Sequence, residues 1–378
     1  MPRPQLPTSF ERLTPRAARW CLLTATIGVV GCMAITLSPL AKGKADAVSR
    51  GANDMTLYRS EVVRVAQGEA YYDVAGDELR KQGYPTRSVF NWRTPLLVWM
   101  LAALPSPGAG QAMLAGLAIV LALWAMVGVA KERGAGAGVL AGCLLCGALL
   151  LVTGDAYFLP VMWAGVLIGL SLCAYESQRR GLAVALGLAA LFFRELAAPY
   201  CIGAVVLAAR ERRWREAAVW CVGFAAYAAF YAYHIAEVRA RILPTDTAHD
   251  GTWWQAGGLA FVISLAQVNS FFLVLPQAAA GVYFALALLG AASWDTPWGR
   301  RVGLTLCGYA ATFALVGYEF NQYWGVLISP LFALCAAQSP AAVAGLLRRG
   351  RPMPFVELGV GTTAAADGSC RLRGSARS

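Results

Sequence analysis

Four short stretches of the chain carry ionisable and amide side chains suited to chemistry: Asn53-Asp54, Asp155, Arg194-Glu195 and Glu319-Phe320-Asn321-Gln322. The polar segment 41–93 adds Tyr58, Tyr71, Tyr72, Tyr84, Arg87, Trp92 and Arg93. A carboxylate can take a proton from a bound hydroxyl, and a guanidinium matches phosphate oxygens in shape and charge. Each group also has a plainer reading. Asn53 and Asp54 precede an amphipathic stretch with Tyr58, Val62, Val65 and Ala66 on one face, so either is a helix N-cap, a role that does not exclude a catalytic one. Asp155 either caps the apolar stretch after it or faces a pocket. Arg194 and Glu195 either pair with each other to fix a bend or serve a ligand, and Glu319 is a solvated loop residue unless a pocket forms beside it. His234 and His249 share no metal-ligand spacing with a Cys or with each other, so no metal is expected on them.

These groups are few because the rest of the chain is apolar. Of 378 residues 58% are hydrophobic and 14% charged, and the mean hydropathy is +0.54. A soluble domain carries about 25% charged residues, so this chain lacks the polar side chains for a water-facing shell. Apolar stretches of spanning length place that surface in lipid. The net charge of +11 does not indicate nucleic acid, because the Lys and Arg residues sit in short loops between apolar segments, where they orient a membrane protein. Most of the ten cysteines lie inside those segments and the two longest loops hold none, so no disulfide framework is read. Cys143 and Cys146 form a C-x-x-C inside a span, without His or polar neighbours, and are read as packing. No Gly-rich phosphate loop stands between a strand and a helix.

The expected architecture is an all-α polytopic membrane protein of about ten transmembrane helices. A basic cytoplasmic leader, 1–19, precedes a membrane domain over 20–347 with a long external first loop (41–93) carrying juxtamembrane helices. A second external loop covers 237–268, and 348–378 is a disordered cytoplasmic tail. Spans are expected near Trp20–Leu40, Ala109–Ala130, Ala135–Val152, Tyr157–Tyr175, Gly181–Phe193, Leu196–Ala209, Glu216–Ile235, Ser270–Ala292, Val302–Tyr318 and Tyr323–Leu347. With the N-terminus in the cytoplasm and the spans alternating, every short basic loop (131–133, 179–180, 210–215, 300–301) and the C-terminus lie inside. That count closes only if 181–193 and 196–209 are two short helices meeting at Arg194-Glu195. The acidic and amide groups nearest the spans then share the outer face, where they suggest a pocket.

This arrangement resembles the GT-C superfamily of integral-membrane glycosyltransferases, in its polyprenyl-phosphate-sugar-dependent, mannosyltransferase-like branch. The resemblance rests on a first helix followed by an external loop with an early acid, Gly51-Ala52-Asn53-Asp54-Met55-Thr56-Leu57-Tyr58. It continues through Gly68-Glu69-Ala70-Tyr71-Tyr72, Gly83-Tyr84-Pro85 and Asn91-Trp92-Arg93-Thr94-Pro95, and its architecture covers most of 20–347. There is no Asp-Asp or Asp-x-Asp/Glu pair, since Asn53 stands where a second acid sometimes sits, so use of a divalent metal is left open.

What the resemblance implies is transfer of a sugar from a polyprenyl phosphate to a glycan, lipid or protein acceptor on the external side of a bacterial inner membrane. Asp54 is then the catalytic base. Arg194, oriented by Glu195, and secondarily Arg93 offset the charge of the leaving phosphate. Asp155 or Glu319 would hold sugar hydroxyls, and Tyr58 and Tyr84 would stack on the sugar ring. The alternatives are a membrane transporter, which would place more charges at mid-span, and a non-catalytic envelope-assembly protein.

Overall fold

The computed structural model describes residues 8–37, 45–149, 154–248, 256–317 and 319–351. Of the expected tail, 348–378, residues 348–350 are helical and 352–378 lie outside the described residues, as does His249. Among the described residues the chain is helical and has no strand. Four helical segments are long and apolar enough to cross a membrane: Pro15–Leu37 (α1), Pro107–Arg133 (α5), Trp214–Arg239 (α10) and Asn321–Gly350. The last comprises a 3-10 helix, Glu319–Trp324, then α15, Gly325–Ala336, and α16, Ser339–Gly350.

The other expected spans are helices too, but shorter. They are α6 (Ala135–Leu149), α7 (Pro160–Glu176), α8 (Arg180–Phe193), α9 (Ala198–Arg210), α13 (Gln277–Ser293) and α14 (Pro297–Leu315). A helix of 13 residues, the length of α9, rises only about 20 Å, against a hydrocarbon core of about 30 Å. Four spans by length and composition is therefore the count the helices themselves carry. The stretch expected as one span over 270–292 is cut at Pro276 into a single turn, α12 (Ser270–Leu273), and α13, and α11 (Gly258–Leu265) occupies what was read as loop.

Helices apolar on every side form the centre. Almost all of α15 and of α7 is buried, and the two touch where Gly165 of α7 meets the Val326 carbonyl and Leu327 backbone so closely that a Cβ would collide. Around them α5 and α6 form a hairpin with a single linking residue, Gly134, at φ 91°. That left-handed conformation favours glycine. Outermost, α1 exposes Trp20, Ile27, Val30 and Leu37, and α10 exposes Val219 and Val222. Exposed apolar faces on long helices are what a lipid environment covers.

The Arg194-Glu195 break is present. Arg194 is extended (φ −152°, ψ 121°) between α8 and a short 3-10 turn, Glu195–Ala197. The chain reverses there, since Cys201 Sγ donates to the Gly187 carbonyl at 3.4 Å, and these residues flank Arg194 symmetrically. The Tyr309 hydroxyl of α14 donates to the Leu196 carbonyl at 3.0 Å and holds the turn.

Polar contacts sort into two ends. At one, Arg12 pairs with Asp295 (2.9 Å), Glu11 with Arg348 (2.7 Å), Lys131 with Glu176 (3.8 Å) and Arg301 with Glu211 (3.0 Å). At the other, three helices make a lid layer: α2 (Ala45–Ala66), α3 (Tyr71–Lys81) and α4 (Leu96–Ala102). Arg80 of α3 reaches Asp246 (2.9 Å) and the Arg241 carbonyl (2.7 Å), and Arg241 pairs with Asp73 (2.6 Å) and Glu237 (2.6 Å).

Candidate functional site

On α2, Asp54, Tyr58 and Glu61 fall at i, i+4 and i+7, one stripe on one helix face. The helix begins at Ala45, so Asp54 lies well inside it and is not its N-cap. Its half-buried carboxylate instead accepts a 2.6 Å hydrogen bond from the Tyr84 hydroxyl. Tyr84 is placed by the turn after α3, where Gly83 takes φ 75°. Arg93, at the entry to α4, donates from Nε to the Tyr58 hydroxyl (2.9 Å) and from Nη1 to the Phe90 carbonyl (2.9 Å). Its own carbonyl accepts from the Tyr71 hydroxyl at 2.7 Å.

The hairpin turn meets this cluster. Burial pushes the Tyr58 hydroxyl up, the Arg93 charge pulls it down, and the Asp54 and Arg194 charges act on it in opposite directions. Residues from α2, the α8–α9 turn and the start of α4 therefore share one electrostatic neighbourhood. Arg194 is 3% exposed. Its Nη1 lies 3.1 Å from Glu195 Oε1 as an ion pair, while Nε and Nη1 make no hydrogen bond. A buried guanidinium with unspent donors is costly unless something accepts from it. Burial also pushes the Tyr84 hydroxyl up, with Asp54 adding to the effect.

One expected residue is not drawn in. Asp155 pairs with Arg59 (3.2 Å) in a half-exposed bridge, and it does not cap α7, whose N-cap is Leu159. Glu319 opens its 3-10 helix, but its side chain, like that of Asn53, lies outside the described residues. The same 3-10 helix delivers a residue not anticipated, Tyr323, whose hydroxyl interacts with Tyr58, Tyr84 and Arg93.

Glu61 was also missed. It is 2% exposed, with Oε2 unpartnered. Burial raises it to about 8 against the opposing pull of Arg93, with Glu78 and Asp54 adding to the rise. A second omission is the stripe Tyr227, Tyr231 and His234 on α10, at i, i+4 and i+7. Tyr227 and Tyr231 stack at 5.8 Å, both interact with Arg194 and Glu195, and His234 Nδ1 lies 3.2 Å from the Tyr72 hydroxyl. The periodic placement of Glu61 beside Tyr58, and of a polar stripe in an otherwise apolar span, was the available signal.

The arrangement is a half-buried carboxylate beside two guanidiniums and a wall of tyrosines. It can accept a proton and bind an anion within one site. Among the described residues no group of three His, Cys, Asp or Glu side chains is placed to hold a metal ion, so no chemical step is assigned to one. No family model, no curated protein sequence and no solved structure matches the chain.

Proposed function

We propose that the chain is a GT-C-like membrane glycosyltransferase that moves a sugar from a polyprenyl phosphate to an acceptor hydroxyl. The observation that carries this reading is that Arg93 bonds the Tyr58 hydroxyl while the Asp54 and Arg194 charges also act on it, from stretches far apart in the chain. In the proposed reaction Asp54 takes the acceptor's proton through the oxygen not held by Tyr84. The acceptor oxygen then bonds to the sugar's anomeric carbon as the carbon–oxygen bond to phosphate breaks. The electron pair leaves with the polyprenyl phosphate, and Arg194 and Arg93 offset its added charge.

Half-buried Tyr84 and Tyr323 offer aromatic surface to the sugar, buried Tyr58 backs them, and Glu195 orients Arg194. The same reading takes the short helices as additional partial or tilted spans, toward about ten in all. It puts the lid layer outside a bacterial inner membrane and both termini in the cytoplasm, as the basic loops favour. The test is purified protein in lipid with a panel of polyprenyl-phosphate sugars, scored for released polyprenyl phosphate. Turnover by wild type, with the donor KM raised about tenfold or more in Arg194→Gln, supports the assignment. A donor KM unchanged in that variant removes Arg194 from the donor site.

A further inference from the structure

At the opposite, basic end, a cavity of about 670 Å³ opens between the α7–α8 turn and the α9–α10 turn. It is lined by Arg180, Arg212, Arg213 and Arg215, by the Glu216 carboxylate, and by Val184 and the exposed Val219. The nearby carboxylates are already engaged. Glu211 holds Arg301 (3.0 Å) and Arg213. Glu216 accepts from the Tyr175 hydroxyl (2.7 Å) and pairs with Arg213 (3.3 Å). Among the described residues Arg180 donates to the Gln178 amide oxygen at 3.3 Å and pairs with no carboxylate, and no described carboxylate pairs with Arg212 or Arg215.

Two further features converge on the same space. The helices α8 and α10 both begin there, at Arg180 and Trp214, with no side-chain cap on either N-terminus. The free amides and dipole of α8 favour an anion, while the first turn of α10 already carries Glu216. Both preceding turns close in the same way, with the Arg179 amide on the Ala174 carbonyl and the Arg213 amide on the Ala208 carbonyl, each at 2.8 Å. Each places a side-chain-bearing residue at positive φ, Gln178 at 58° and Arg212 at 55°. Glycine would fit there without strain, yet Arg212 puts a guanidinium on the rim. Trp214, 66% exposed, stands at the mouth as an interfacial aromatic would.

We infer that this cavity binds the phosphate headgroup of an anionic lipid, with the arginines and the N-terminus of α8 on the phosphate and the glycerol and upper acyl chain along Val184 and Val219. The inference needs the membrane setting but not the glycosyl transfer proposed for the other end. Charges that only orient the chain would need no cavity and would be interchangeable with their neighbours. Arg210, exposed on the same loop but not on the rim, therefore serves as the control.

The test uses the full chain in an uncharged detergent, titrated with phosphatidylglycerol, phosphatidylcholine or inorganic phosphate, and read by native mass spectrometry and unfolding temperature. The expected result is saturable binding of phosphatidylglycerol but not phosphatidylcholine, weakened about tenfold or more in Arg212→Gln/Arg215→Gln and little changed in Arg210→Gln. Arg215→Gln alone gives an intermediate loss should the double variant unfold. Equal weakening in Arg210→Gln, or no preference for the anionic lipid, overturns the inference. Saturation by inorganic phosphate at the same rim, with no gain from the lipid, reassigns the site to a soluble phosphate and overturns the lipid.

Discussion

Glu61 sits one turn from Tyr58 with no hydrogen-bond partner on Oε2, and burial keeps its proton on to about pH 8. Because its value is raised from 4.5, its favourable contribution to stability is complete below pH 4.5 and is lost as pH rises through about 8. The unfolding temperature of the wild type should therefore fall across that window, and Glu61→Gln should flatten the fall. A wild-type profile that rises there would contradict the burial of an uncharged acid. At this scale the sequence was partly legible. Asp54, Tyr58, Tyr84 and Arg93 do come together, but Glu61 and Tyr323 were not anticipated. A buried acid on an amphipathic helix reads like a surface one until the packing on that face is known. Asp155 pairs with Arg59 rather than capping α7 or joining the cluster, because which side chains of α2 face it depends on helix rotation, which spacing alone does not fix.

Among the elements, the break at Arg194-Glu195 followed from charge bookkeeping and stands as a tight reversal. The divided stretch at Pro276 and the helix α11 were not anticipated, because an apolar run reads the same whether it is continuous or bent. The lid depends on Arg80 clasping Asp246, whose side chain is 2% exposed. The Arg80 hydrogen bonds hold Asp246 well below the usual carboxylate range, so the pair's contribution is present above the ordinary carboxylate value and is lost as pH falls. Asp246→Asn should cost about 2 kcal/mol, and it should raise hydrogen exchange in α3 while leaving α7 and α15 protected. Uniform loss of protection would mean that the lid and the bundle unfold as one.

Over the whole molecule, described ion pairs join N-terminal residues, the C-terminal turn of α5, the α9–α10 turn and Arg348 at one end, and α2, α3 and the 241–246 segment at the other. Alternation of basic loops along the sequence anticipates this partition. The number of crossings is less legible, since helices of 14 to 17 residues are apolar enough to lie in lipid but too short to cross upright. Sidedness can be read directly. Cysteines placed singly at Arg87 and Arg300, treated with a membrane-impermeant maleimide in intact cells, should label only at 87, and the reverse pattern would invert the orientation. The claim that the lid end is a glycosyl-transfer site is tested most directly by sugar transfer from polyprenyl-phosphate donors in lipid, wild type beside Asp54→Asn. The account predicts transfer that drops about 100-fold or more in a variant with an unchanged unfolding temperature. Equal transfer by the two proteins would contradict the assignment of Asp54 as the base.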